Sequence, residues 1–214
     1  MNWLKWIVAV LFVLYITYLL GPEPDKPKYS NEFPTIAQSG LQLDDSIKNA
    51  EADLTIREGN QAEIIWYDST HSKTPYSLVY LHGFSASRFE GNPVHQEFAK
   101  RYGCNLYLSR LASHGLKTDE PLLNLSADDL YKSAKRALAI GNQIGEKVIL
   151  MSTSTGGTLS ILLAAKFPEK VEAIKAYSPN VEIYDPNSYL LTKPWGLQMA
   201  RLVLGSKYRT TKDH

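Results

Sequence analysis

Residues 147–157 read KVILMSTSTGG, and this stretch decides the fold of the chain. Residues 147–151 form a short apolar run, which is typical of a strand buried inside a parallel sheet. Small and hydroxyl residues follow, and the apolar run 157–167 then predicts a helix that ends before Pro168. A buried strand that turns directly into a helix is the repeating unit of α/β folds.

The turn between this strand and this helix has the composition of a nucleophile elbow. Ser154 stands at its centre, with Ser152 two residues before it and Gly156 two residues after it. Both flanking residues must be small because the sharp turn brings them against neighbouring chain. Glycine is commoner at the position of Ser152. Ser154 also lies at the start of the helix, where the helix dipole favours a developing negative charge.

Further strand-like and helix-like segments alternate on both sides of this turn. The pattern predicts six strands, at residues 52–57, 62–67, 77–81, 104–108, 147–151 and 171–177. Helices are predicted from Asn92 and Pro93 to about Tyr102, and from Ser126 through Ile140. Strands separated by helices indicate a mostly parallel sheet with crossover helices.

A second strand end carries a motif of its own, Leu81-His82-Gly83-Phe84. With this turn and the Ser154 elbow together, the sequence resembles the α/β-hydrolase superfamily, and within it the esterases, monoacylglycerol lipases and serine-aminopeptidase-like hydrolases. In those enzymes the residue after the HG pair and the residue after the nucleophile each contribute a backbone N–H to the oxyanion hole. The resemblance therefore implies that Ser154 is the nucleophile and that the N–H groups of Phe84 and Thr155 form the oxyanion hole. It covers about residues 53–178, the N-terminal half of that fold.

Other interpretations of these motifs stay open. Ser154 as an ordinary serine that caps a helix is the main alternative. A phosphate-binding loop is disfavoured because no Gly-Lys-Ser/Thr follows. Ser113-His114-Gly115 matches a turn that such hydrolases carry, but His114 precedes the nucleophile, whereas the catalytic histidine of this fold follows it. We expect His82 and His114 to be structural, and His95 to face solvent.

The acid and the histidine of a catalytic triad are not evident in the chain. Asp185 and His214 follow Ser154 in the required order, and Asp185 is a candidate for the acid, but His214 is the last residue and has no strand to hold it. Residues 180–214 are predicted to begin a helical cap. The sequence thus indicates a hydrolase truncated before the last strands, with its acid and histidine beyond residue 214. A catalytically inactive, hydrolase-like binding protein is the alternative.

The N-terminal segment is the most apolar of the chain. Residues 3–20 are apolar or aromatic except for Lys5 and Thr17, and a helix of this length spans about 27 Å. This predicts a single transmembrane anchor. A cleaved signal peptide is the alternative, although no small-x-small cleavage pattern follows Leu20. Because Lys5 precedes the segment and the charges after it cancel, we expect the catalytic domain on the exported side.

The composition of the chain argues against some classes of function. The 214 residues have a formal net charge of +1 and a single cysteine, Cys104. An even charge balance argues against nucleic-acid binding, and one cysteine excludes a multi-cysteine metal site. No cofactor or metal is expected, and the expected partner is a small-molecule ester or lipid. The expected domains are an anchor (residues 1–22), a linker (23–52), a hydrolase core (53–179) and an incomplete cap (180–214).

Overall fold

The computed structural model describes residues 2–204, and its centre is a five-stranded sheet. The strands are β1 (Glu63–Ile65), β2 (Thr74–Leu81), β3 (Asn105–Leu108), β4 (Gly145–Thr153) and β5 (Ala173–Tyr177). Their order across the sheet is β1-β3-β2-β4-β5. Strands β2 to β5 run parallel to their neighbours, and only β1 runs antiparallel, against β3. The predicted α/β class with a mostly parallel sheet is therefore confirmed.

α-Helices and 3-10 helices connect and flank these strands. The α-helices are α1 (Asn2–Leu19), α2 (Gly40–Asn49), α3 (Val94–Tyr102), α4 (Ala127–Ile144), α5 (Thr155–Lys166) and α6 (Gly196–Leu204). Three 3-10 helices span Arg88–Gly91, Pro168–Lys170 and Pro186–Thr192. Ser126 caps α4 by accepting the N–H of Asp129, and Gly103 ends α3 in the left-handed conformation at φ +64°. Both boundaries agree with the sequence pattern.

The register of the parallel strands brings their carboxyl ends to one edge of the sheet. Leu81, the last residue of β2, pairs with Ser152 of β4. Thr153, the last residue of β4, pairs with Tyr177, the last residue of β5. The turns that follow β2 and β4 therefore begin side by side, so that the two predicted motifs lie together.

One predicted strand, at residues 52–57, is wrong. In the structure only Ile56 bridges to Leu116, and the flanking bonds are limited to Arg57 N–H to the Gly115 carbonyl and Lys117 N–H to the Thr55 carbonyl. This short ladder lies outside the sheet and does not propagate. The sheet in the described residues consequently has five strands and not the six expected.

Side chains of the strands alternate between two separate cores. Val79, Leu81 and Leu150 belong to the larger core, together with buried residues of α2, α4 and α5. Leu78 and Tyr80, which alternate with them along β2, belong to a smaller core with Ala99 of α3. This period of two places α3 on one face of the sheet and α2, α4 and α5 on the other.

The segment expected to be a linker is largely part of the folded core. Tyr29, Phe33 and Ile36 pack against the larger core, and Leu43 and Ile47 of α2 are buried in it. The prolines at the start of the segment suggested an extended chain. The apolar residues that follow them nevertheless bury enough surface to hold the segment on the domain. The compact unit accordingly begins at Pro27 and ends at Val181.

The described residues before Pro27 and after Val181 form a second compact unit. Within it, the Trp195 indole N–H donates to the Thr17 carbonyl, and the Trp195 backbone N–H donates to the Pro22 carbonyl. Helices form at Pro186–Thr192 and in α6, while the role of residues 180–214 as a cap stays a prediction.

The predicted transmembrane anchor is not found. Among the described residues, no helix combines the length and the apolar character needed to cross a membrane. Helix α1 has 18 residues and includes Lys5 near its start. The exported location rested on the charges that flank this segment, and it stays a prediction.

Candidate active site

Ser154 occupies the turn between β4 and α5 in a strained backbone conformation. Its φ is +49° and its ψ is −115°, a region that residues with a side chain rarely adopt and that costs about 1–3 kcal/mol. Three backbone hydrogen bonds hold it there. The Ser154 N–H donates to the Tyr177 carbonyl, and the Ser154 carbonyl accepts the N–H groups of Thr158 and Asn180. The turn thus has the geometry expected of a nucleophile elbow.

The structure explains why small residues flank Ser154. A Cβ on Gly156 would lie 2.1 Å from the Leu81 carbonyl oxygen, so that no side chain fits there while β2 keeps its place. Ser152 is fully buried, and its hydroxyl oxygen is 3.0 Å from that of Ser160, whose hydroxyl also lies 3.0 Å from the Gly156 carbonyl oxygen. Serine replaces the commoner glycine at this position because α5 supplies a partner for the buried hydroxyl.

The turn after β2 lies directly beside Ser154. A Cβ on Gly83 would be 3.3 Å from the Cβ of Ser154. His82, which is fully buried, orders this turn through both of its ring nitrogens. Its Nδ1 is 2.9 Å from the Gly83 carbonyl oxygen, and its Nε2 accepts the Leu111 N–H at 3.1 Å. With Nε2 as an acceptor, Nδ1 carries the proton and donates to Gly83.

Burial keeps His82 neutral, because it lowers the pKa of the imidazole to about 4. His114 is held in a similar way. Its Nε2 accepts the Ser85 N–H at 3.0 Å, its Nδ1 is 2.8 Å from the Ala112 carbonyl oxygen, and burial lowers its pKa. Since Ser85 has a φ of +62°, this hydrogen bond also fixes an unusual conformation in the turn. Both histidines hold the backbone and neither offers a free ring nitrogen to Ser154.

The backbone N–H groups of Phe84 and Thr155 are the donors that the resemblance implied. Thr155 is the first residue of α5, so that its N–H has no partner within the helix. The N–H of Phe84 has no acceptor among the described residues. One donor follows the Gly83 turn and the other follows Ser154. Two free N–H groups on adjacent turns are suited to bind an oxyanion.

The remaining acid and histidine candidates do not complete a triad within the described residues. His95 was expected to face solvent, but it is fully buried, with its ring against Tyr80 and its Nε2 2.9 Å from the Arg88 carbonyl. His71 precedes β2 and so lies at the opposite edge of the sheet from Ser154. The Asp185 carboxylate caps a 3-10 helix by accepting the Asn187 N–H, and its assignment as the acid stays a prediction. His214 lies outside the described residues.

Sequence reasoning gave no sign of the position of Glu90. The Glu90 carboxylate accepts the Gly83 N–H at 2.8 Å, so that it reaches the turn beside Ser154. Its place seven residues after Gly83, within a turn-rich segment, was the only signal in the sequence. Nothing in the pattern showed that the 3-10 helix Arg88–Gly91 folds back onto the turn.

Comparison with solved structures identifies the fold to which this architecture corresponds. The structure of a metagenome-derived lipolytic enzyme, from a study of the pair LipS and LipT, matches 64% of this chain and 53% of its own with a TM-score of 0.55 and 20% identity. The chain has the α/β-hydrolase fold. No protein-family model and no curated protein sequence matches it.

Other solved structures with the α/β-hydrolase fold match at similar identity. Est1E from Butyrivibrio proteoclasticus, solved with ferulic acid, is 20% identical with a TM-score of 0.46, and the match covers 60% of this chain and 52% of that one. A monoacylglycerol lipase from Paleococcus ferrophilus is 19% identical with a TM-score of 0.45, and the match covers 66% and 49%. The chain spans about half the length of the α/β-hydrolase structures it matches.

Proposed function

We propose that the protein is a serine hydrolase that acts on carboxylic esters. Ser154 attacks the ester carbonyl, and the N–H groups of Phe84 and Thr155 stabilise the oxyanion of the tetrahedral intermediate. The observation that carries this proposal is the conformation of Ser154, which is held at φ +49° between a strand and a helix, next to the Gly83 turn. A strained serine persists only where the surrounding contacts over-determine it, and such strain is concentrated at functional sites.

Two donors at this position supply the largest contribution to catalysis that the described residues offer. Removal of one strong oxyanion donor costs about 2.7–4 kcal/mol in other hydrolases. Ser154 also needs a general base, since its hydroxyl is a poor nucleophile while protonated. The described residues supply no base for Ser154, and Asp185 stays a candidate for the acid.

The substrate class is supported by the lipolytic enzyme that shares the fold, and by a cavity beside the oxyanion turn. The cavity has a volume of about 400 Å³. Its lining includes Ser85, Ala86 and Ser87, which follow Phe84, together with Arg57 and Asn60. This space accommodates a short or polar part of an ester, and lipid esters remain within the proposed class.

A second candidate function is binding without catalysis. The observation that favours it is that the described histidines nearest the site, His82 and His114, are both committed to backbone hydrogen bonds. A hydrolase-like protein without a base retains the pocket and the oxyanion donors, and binds an ester or acid without turning it over.

A fluorophosphonate probe separates the two functions in the full-length protein. We expect the probe to label the wild type, and Ser154→Ala to abolish labelling and hydrolysis of an aryl ester. Ser178→Ala is the matched control, because Ser178 is an exposed serine after the neighbouring strand β5, and it should leave both signals unchanged. Labelling that survives in Ser154→Ala would exclude Ser154 as the nucleophile, and its absence in the wild type would favour the binding protein.

A further inference from the structure

We propose that Glu90 is a positioning residue for the hydrolytic site, which it serves by fixing the turn that carries the Phe84 oxyanion donor. The proposal rests on the proposed function. The proposal extends that function by assigning a role to the Glu90 carboxylate, which lies beside the nucleophile and belongs neither to the elbow nor to the oxyanion motif.

The Glu90 carboxylate is connected to both turns of the site. Its Oε2 accepts the Gly83 N–H at 2.8 Å and the Tyr80 hydroxyl at 3.3 Å. The Tyr80 hydroxyl is in turn 3.0 Å from the Thr153 hydroxyl, which immediately precedes Ser154. With Tyr80 donating to Glu90, Thr153 donates to Tyr80, so that a single hydrogen-bonded chain joins the Gly83 turn to the elbow.

The carboxylate also lies close to the nucleophile. The Cβ position of Gly83 is 3.0 Å from Glu90 Oε1 and 3.3 Å from Ser154 Cβ, so that these two atoms are at most about 6.3 Å apart. At this distance a movement of Glu90 is transmitted directly to the backbone that borders Ser154.

Several contacts fix Glu90 itself. It lies in the 3-10 helix Arg88–Gly91, which begins where the Ser87 side chain accepts the Phe89 N–H. Arg88, the residue two before it, forms an ion pair of 2.8 Å with Glu63 of β1 and donates to the Gly59 carbonyl. The carboxylate therefore lies on a short helix that is attached to β1, an edge strand of the sheet.

The consequence for the reaction follows from the peptide geometry. The Gly83 N–H and the Phe84 N–H belong to consecutive peptides, and glycine between them allows the backbone to rotate freely. The hydrogen bond from the first peptide to the Glu90 carboxylate oxygen restricts that rotation and so keeps the second N–H directed toward the oxyanion. Without it His82 still holds the Gly83 carbonyl, which belongs to the same peptide as the Phe84 N–H, but the peptide on the other side of Gly83 is free to turn and shifts the donor from its place.

The test compares Glu90→Ala with Glu90→Gln in the full-length protein. Glutamine keeps an oxygen that accepts the Gly83 N–H, whereas alanine removes it. We expect Glu90→Ala to lower kcat by about 10- to 100-fold with little change in KM, since a misplaced donor costs that much. Glu90→Gln should recover most of the loss. Glu97→Ala, at an exposed glutamate of α3, is the matched control and should behave as the wild type.

Affinity for a boronic acid, which adds to the serine as a tetrahedral adduct, provides a readout that a purely structural role would not move. Glu90→Ala should weaken this affinity by the same factor as kcat/KM while the melting temperature stays near that of the wild type. Equal activity of Glu90→Ala and wild type overturns the proposal. So does a Glu90→Gln variant as inactive as Glu90→Ala, because the charge itself would then be required. If the wild type shows no Ser154-dependent turnover, the proposed function itself is contradicted. This result is obtained before any Glu90 variant is measured.

Discussion

Ser154 keeps its strained conformation because its neighbours leave it no alternative. The Leu81 carbonyl fills the space beside Gly156, and the hydroxyl groups of Ser152 and Ser160 form a buried pair that joins the end of β4 to α5. The strain of about 1–3 kcal/mol is therefore borne by packing contacts at the end of β2 and along α5.

Gly156→Ala tests this packing. The added Cβ would meet the Leu81 carbonyl at 2.1 Å, so the end of β2 and the Gly83 turn after it must shift. We expect the free energy of unfolding to fall by about 1–3 kcal/mol or more, and ester hydrolysis to fall with it. Urea denaturation and aryl-ester kinetics measure the two effects. Ile161→Ala, at an exposed position of the same helix, is the control, and an effect of equal size there would show that the loss is not specific to the turn.

His82 predicts a dependence of stability on pH. Its folded pKa of about 4 is below the usual 6.5, so that the unfolded chain binds more protons between these values. The free energy of unfolding should therefore be highest above pH 6.5 and fall as the pH decreases toward 4, by on the order of 3 kcal/mol from this residue. Chemical denaturation at several pH values measures the slope. A His82→Gln variant with the same slope as the wild type would contradict the assignment to His82.

The residues of the elbow and of the HGF turn could be named from the sequence, because both motifs depend on local spacing. Glu90 could not be named in this way. Its contact with Gly83 depends on how the 3-10 helix folds back onto the turn, and no periodic pattern in the sequence shows this. His95 was misplaced for a related reason. A lone histidine near the start of a helix gives no sign of which face it occupies until the partner strand, here β2 with Tyr80, is known.

At the scale of elements, the segment 27–36 is the largest departure from expectation. Two charged side chains of α4 hold the backbone of this segment. The Asp128 carboxylate accepts the N–H groups of Lys28 and Tyr29, and the Lys135 ammonium donates to the carbonyls of Ser30 and Glu32. These contacts are about a hundred residues apart along the chain, and no local pattern shows them. The buried helices and strands, by contrast, were evident from their apolar periodicity.

Asp128→Ala should loosen the start of this segment, at Lys28 and Tyr29, without unfolding the sheet. The loss of the carboxylate leaves two backbone N–H groups without their acceptor, so that amide exchange at Lys28 and Tyr29 should become faster. Hydrogen-exchange mass spectrometry measures this change. Asp128→Asn keeps an acceptor oxygen and should remain closer to the wild type. Unchanged exchange in Asp128→Ala would mean that the apolar contacts of the segment hold it alone.

At the scale of the whole molecule, the sheet is asymmetric. Its edge at β1 is short, whereas the other edge, β5, has five residues that are mostly exposed and pairs only with β4 among the described residues. An edge strand of this kind presents unpaired N–H and C=O groups, which favour association with other chains. Ile174 and Tyr177 add exposed apolar surface to it.

Residues 27–181, one compact unit of the structure, should therefore associate as their concentration rises. Ile174→Lys places a charge on the edge strand and should reduce the association, as measured by sedimentation velocity. Leu54→Lys makes the same change at an exposed position away from β5 and should leave the association unchanged. A monomer at every concentration would show that the edge is protected within this unit.

The attachment of Ser154 to the end of β5 and to the residues after it has a consequence for the lifetime of the reactive geometry. Its N–H ends on the Tyr177 carbonyl, and its carbonyl receives the Asn180 N–H, so the outermost strand clamps the nucleophile. Edge strands open more often than central ones, and each opening releases Ser154 from its clamp. The fraction of molecules in which Ser154 is ready to react therefore depends on the equilibrium between the open and the closed state of β5. Because such linkage is reciprocal, a covalent adduct on Ser154 should protect the peptide bonds around Tyr177 from proteases.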